Sequence, residues 1–236
     1  MSVLFSIGLP RLFKGGARQQ SYYDRAIGAL TKGDTGGARV FIAKLRVSAL
    51  SPRDETLLVE AEAWSLLCAG KPAQARDLVA GAVSSSALLR GVIAVVAGTN
   101  EGAIDTLADA LSETAALELV TRALVACNAP MRVASLLEQP GVATRLPDLW
   151  LHTSSEIVFR SGAFDACEAI CLASFRAYGS PMHLFNAACS ADRAGNVEGA
   201  LEHLRAALAA GFSDRAMMTS DPDLAAVRAD PRFAAL

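Results

Sequence analysis

Apolar residues in this 236-residue chain recur mostly three or four positions apart, the spacing of one face of an α-helix. Between Gln19 and Leu50, Tyr22, Tyr23, Ala26, Ile27 and Leu30 form one stripe. Thr31 to Gly37 reads as a turn, and Val40, Phe41 and Leu45 form a return stripe, so the segment is predicted as a helical hairpin. Ser51-Pro52 offers an N-cap and a first-turn proline, with Glu55 placed to reach back. A helix is predicted from there through Leu57, Leu58, Ala61, Trp64 and Leu67 to Gly70, and Pro72 opens the next, to about Val83. Ala87 to Ala110 begins with a helix apolar nearly all round, Leu88-Leu89 and Val92 to Val96, which is the pattern of an element covered on both sides. Its β-branched run also fits a buried strand, the lesser reading given the helical phrase after Gly98. Thr114 to Gln139 is the least regular stretch, Pro140 and Pro147 bracket a loop or short helix, and Asp148 to Tyr178 and Pro181 to Ala210 are the clearest hairpins.

A phrase recurs through these hairpins: a turn residue, a small residue five positions on, and an apolar residue four further. It reads Gly33, Ala38, Ile42; Gly70, Ala75, Val79; Gly98, Ala103, Leu107; and Gly195, Ala200, Leu204. Weaker copies are Asn128, Val133, Leu137 and Gly162, Cys167, Cys171. The six leading residues are 37, 28, 30, 34 and 33 positions apart, about one helix-turn-helix unit and the range of solenoid periods.

Residues 181 to 210 resemble the tetratricopeptide repeat. Leu184 and Ala187-Ala188 take the tight-packing places of the first helix, Gly195 the turn, and Ala200 and Ala207 the small places of the second. Small residues are needed there because two helix backbones cross closely. Gly211 to Leu236, with Asp221-Pro222-Asp223-Leu224 and Arg228-Ala229-Asp230-Pro231-Arg232-Phe233, looks like the terminal cap of many bacterial repeats of this family, each Asp-Pro step able to start a short helix. The expected fold is all-α, a right-handed superhelix (solenoid) of about six such hairpins with a C-terminal capping segment. Its expected parts are an apolar peptide and joint at 1–18, hairpins at 19–139, a hinge at 140–147, repeats at 148–210 and the cap at 211–236. The resemblance implies a concave groove for an extended peptide or a helix, and no catalysis. The groove-facing places fall on Tyr23 and Ile27, Glu60 and Trp64, Leu88 and Val92, Glu118 and Arg122, His152, Glu156 and Arg160, then Met182, Phe185 and Cys189. Chaperone-tail recognition needs Lys and Asn at several of these places, and only Asn186 fits. A mixed apolar and charged groove suits an amphipathic partner helix or a folded partner's edge.

Composition narrows the function. A net charge of -2 with scattered positive charge argues against a general nucleic-acid binder. Five cysteines, odd in number and irregularly spaced, point to reduced thiols in a cytoplasm, with no disulfide framework. Cys167 and Cys171 could hold a metal with His183 or Cys189, but they occupy packing positions, so neither a metal nor a cofactor is expected. His152, His183 and His203 lie on three predicted helices, and no zinc motif, nucleophile elbow or phosphate-binding Gly-rich loop is present. The pairs Asp221 with Asp223 and Glu156 with Glu168 are explained by capping and solvation, so no enzyme is expected.

Residues 1 to 16 crowd Val3, Leu4, Phe5, Ile7, Leu9, Leu12 and Phe13 together, interrupted by Gly8 and Pro10 and followed by Lys14-Gly15-Gly16. The segment lacks a basic leader before its apolar run and a small-residue cleavage site after it, and no run approaches the length of a membrane span. It reads either as an extension covering the first hairpin or as a tethered peptide, with Phe5, Ile7, Leu9, Arg11, Leu12 and Phe13 as its contact residues. A third reading is reversible membrane contact with Arg11 and Lys14 at the headgroups. An apolar leader before a repeat domain is similar to the polarity regulators of gliding bacteria that assist a roadblock-type activator of a Ras-like GTPase. That resemblance implies a cytoplasmic adaptor whose leader contacts activator or GTPase while the repeats localise the complex. The alternatives are a peripheral membrane adaptor anchored by the leader and, third, an enzyme.

Overall fold

The computed structural model describes residues 17–48, 51–82, 84–98, 102–114 and 116–236. Among them there are α-helices and short 3-10 turns and no strand. The chain divides into two compact units, one ending at Ala129 and one beginning at Pro130.

The first unit holds α1 (Ala17–Thr31), α2 (Thr35–Val47), α3 (Pro52–Cys68), α4 (Pro72–Ala80), α5 (Ala87–Ala97), α6 (Ala103–Thr114) and α7 (Leu117–Ala126). Helices α1 and α2, α3 and α4, and α5 and α6 pack as consecutive hairpins, and α3 also meets α1, α2 and α5. The α5 stretch is helical, which removes the strand reading. Its Leu88, Leu89, Val92, Ile93 and Val95 are buried, and a Cβ at its Gly91 would lie 3.2 Å from the Leu107 backbone. The side chain of Asp34 accepts from the Gly37 amide and starts α2 two residues before the end of the turn expected from the sequence. At α3 the capping box is completed by Asp54, whose carboxylate takes the Ser51 amide; Glu55 is exposed. Asp54 sits at the third helical position, from which a side chain reaches back to the cap, and Glu55 is one residue beyond it.

The second unit holds α8 (Met131–Leu137), α9 (Val142–Arg145), α10 (Asp148–Arg160), α11 (Phe164–Tyr178), α12 (Pro181–Arg193), α13 (Val197–Ala209), α14 (Arg215–Ser220) and α15 (Ala225–Ala229). Helix α11 is central, packing on α8, α9, α10 and α12; α12 pairs with α13 and carries the terminal turns. The two Asp-Pro steps start 3-10 turns at Pro222–Leu224 and Pro231–Ala235, each capped by the preceding aspartate.

The repeated phrase has a structural basis. All six leading residues adopt left-handed backbone, with φ between 57° and 84°, including Asn128 at 57°. All six residues five positions on, from Ala38 to Ala200, are buried. At Gly33, Gly70, Asn128 and Gly195 the leading amide bonds three residues back and the next amide five back, which closes the last carbonyls of the helix. In the second unit, side-chain hydrogen bonds from α10 to α12 (Asp148 to His183), from α11 to α13 (Glu168 to His203) and from α12 to α15 (Asp192 to Val227) each join residues 35 apart. The division falls inside the fourth expected unit: α7 belongs to the first unit and α8 to the second.

Candidate functional site

The first helix of each leading hairpin, α1, α3 and α5, offers a face that the sequence assigns to a partner. Helix α7 packs on all three. Leu117, Leu119, Val120, Ala123 and Leu124 are buried there, and burial raises the half-buried Glu118 carboxyl above the usual carboxylate range. The Arg122 guanidinium donates to the Thr31 carbonyl at the end of α1, where unsatisfied carbonyls attract a cation. At its other end α7 rests on the α3–α4 turn: the Cys127 thiol lies 3.4 Å from the Leu67 carbonyl, and a Cβ on Gly70 would come within 2.7 Å of Ala126 O. Glu118 and Arg122 therefore belong to an element of this chain that occupies the face.

Beneath these helices Glu60 is buried. Its carboxylate accepts from the Ser86 amide at 3.2 Å and from the Ser86 hydroxyl, and the Tyr23 and Trp64 side chains are near enough to favour its charged form. Ser86 in turn caps α5, so these hydrogen bonds tie α3 to the start of α5. Burial holds the Glu60 carboxyl above its ordinary range and the Tyr23 hydroxyl well above its own. Tyr23 and Trp64 both lie near this buried acid and neither is exposed; Ile27, Leu88 and Val92 are buried as well.

The second unit presents a different surface. Along α10, Leu151, Ser154, Ser155 and Val158 are buried, while Leu149, His152, Glu156 and Arg160 follow one another on the opposite side. Leu149 is 68% exposed, and Glu156 pairs with Arg160 at 2.9 Å. The Asp148 carboxylate meets His183 Nε2 at 2.7 Å and sets the start of α12 beside the start of α10. That bond adjoins Leu149 in one helix and Met182, 37% exposed, in the other. Phe185, assigned to the same groove, is buried and stacks on Phe212 with ring centroids 4.7 Å apart. Sequence reasoning did not single out Leu149. Its signal was an apolar residue in the polar stripe of α10.

Cys167, Cys171 and Cys189 are buried and reduced. Cys167 lies 3.3 Å from the Ser155 carbonyl, and the influence of the two neighbouring thiols on each other lowers the pKa of Cys167 and raises that of Cys171. Among the described residues, no three His, Cys, Asp or Glu side chains form a group that could hold a metal ion. His183 and His203 are hydrogen-bonded to Asp148 and Glu168. Phe5, Ile7, Leu9, Arg11, Leu12 and Phe13 lie outside the described residues. No described helix is long and apolar enough to cross a membrane. No protein family, no curated protein and no solved structure matches this chain.

Proposed function

We propose that the chain is a non-catalytic adaptor of tetratricopeptide-repeat type, a right-handed superhelix that takes a protein partner on the exposed side of α10 and on Met182 at the start of α12. What carries the reading is that exposed Leu149 and Met182 each adjoin one member of the Asp148–His183 hydrogen bond, with the Glu156–Arg160 ion pair two to three turns further along α10: two apolar anchors with charges of both signs. An amphipathic helix lays apolar residues on such anchors and pairs its flanks with the charges. The left-handed turn followed by a buried small residue supports the repeat assignment. On this reading the partners are a cytoplasmic roadblock-type activator and its Ras-like GTPase, with residues 1 to 16 as a second contact.

The test is titration calorimetry of the purified chain with each partner, comparing wild type with Leu149→Asp, Met182→Ser and Arg160→Glu. The expected result is binding that each variant weakens while the melting temperature holds. Equal affinity in all variants overturns the α10–α12 surface, and no binding to either protein overturns the choice of partner.

A further inference from the structure

The positive charge that reads as scattered over the whole chain is concentrated at one end. Residues 1–47 carry eight Lys and Arg against two Asp, and residues 48–236 carry fourteen against 22 Asp and Glu. No acidic residue precedes Asp24.

The fold places three of these cations, Arg18, Arg25 and Lys44, on one side of the α1–α2 hairpin, while Arg46 pairs with Glu62 of α3. Arg18, Tyr22 and Arg25 follow one another along α1, and Phe41 and Lys44 along α2. Arg18 lies over the Tyr22 ring at 5.7 Å, Arg25 over Phe41 at 5.6 Å, and Lys44 over both rings at 5.8 and 5.3 Å. Three exposed cations thus alternate with two half-buried aromatic rings. On α2, Val40 and Val47 lie one turn to either side of Lys44 and are 53% and 84% exposed. The hairpin's two acids are engaged elsewhere: Asp24 accepts from Gln20, and Asp34 caps α2. Among the described residues no carboxylate pairs with Arg18, Arg25 or Lys44.

We propose that this face docks on an anionic lipid bilayer, with Val40, Val47 and the aromatic rings at the acyl boundary and Arg18, Arg25 and Lys44 among the headgroups. The occupant must bring negative charge, which rules against residues 1 to 16 folding back on it, because they carry Arg11 and Lys14 and no acid. A nucleic acid satisfies the cations but gains nothing from exposed valines, whereas a bilayer surface takes both. The inference does not rest on the α10–α12 surface, and either can fail alone.

The experiment is co-sedimentation of the full chain with phosphatidylcholine vesicles, with and without phosphatidylglycerol, at low and high salt. Arg18→Gln/Arg25→Gln/Lys44→Gln is the test variant, Val40→Ser/Val47→Ser a second, and melting temperature the control. Wild type is expected to sediment with anionic vesicles only, and less at high salt. The triple variant is expected to lose about a hundredfold in partitioning at an unchanged melting temperature. No sedimentation with anionic vesicles overturns the proposal. So does a triple variant that binds like wild type, a loss seen only on removing residues 1 to 16, or tighter binding to a DNA duplex or polyglutamate than to the vesicles.

Discussion

The carboxylate of Asp192, in the last turn of α12, accepts the backbone amide of Val227 at 2.8 Å and that of Ala226 at 2.9 Å. These are second- and third-position amides of α15, whose own N-cap residue, Leu224, makes no side-chain cap bond. A residue 35 positions earlier does the capping. Asp192→Ala is expected to destabilise the second unit by about 2 kcal/mol, since it strands a buried amide and removes charge-assisted bonds. Asp192→Asn, which keeps one acceptor, is expected to cost less. Urea denaturation orders the three proteins, and hydrogen exchange at Val227 should accelerate first in Asp192→Ala.

Gly70 and Gly98 have the same left-handed backbone and different surroundings. A Cβ at Gly98 meets nothing within 4 Å, so Gly98→Ala should cost only the conformational penalty of about 1–2 kcal/mol. A Cβ at Gly70 meets Ala126 O at 2.7 Å, so Gly70→Ala must also displace the end of α7. The larger loss of stability is expected at Gly70. Equal losses would show that α7 does not press on the α3–α4 turn.

Glu60 gives the first unit a pH dependence of definite sign. Burial raises its folded-state pKa above the unfolded value, so the carboxyl takes up a proton on folding between the two. Its contribution is most favourable below the ordinary glutamate range and declines as pH rises through the raised value. Glu60→Gln removes this proton. The variant does not titrate at this position, so any margin by which wild type exceeds it narrows as pH rises. Unfolding free energies of both proteins from acid to neutral pH check this; a gap that widens with pH contradicts it.

Phe185 and Arg160 separate core from surface. Phe185→Ala removes a buried ring stacked on Phe212 and is expected to cost about 3–5 kcal/mol. Arg160→Ala breaks only an exposed ion pair with Glu156 and is expected to change stability by less than about 0.5 kcal/mol. Thermal melts distinguish the two. Any binding lost in Phe185→Ala should accompany loss of fold.

The turns and crossings were legible in the sequence because their requirements are local. A left-handed residue asks for Gly or Asn wherever it occurs, and a close crossing asks for a small side chain, so even the faint copy led by Asn128 marks a true turn. What covers each apolar face was not legible. The pattern at Tyr23 and Trp64 says that one side of α1 and α3 is apolar and is silent on the segment that rests there. Arg122 reaches Thr31 across 91 residues and Glu60 reaches Ser86 across 26, with no spacing to announce either. The stripe of His152, Glu156 and Arg160 was readable, since alternation along one helix decides it. Phe185 was misplaced because α12 is buried almost all round. The basic hairpin was present in the sequence but averaged away by the net charge.

Helix α7 also has a consequence for how the protein is made. Neighbours in the second unit meet after each 35 residues of synthesis, so its layers can settle as they emerge. The first unit stays open along three helices until the ribosome has delivered the chain past Ala126. Through that interval the nascent polypeptide carries an uncovered oily surface, and a fragment cut after Thr114 would carry it permanently.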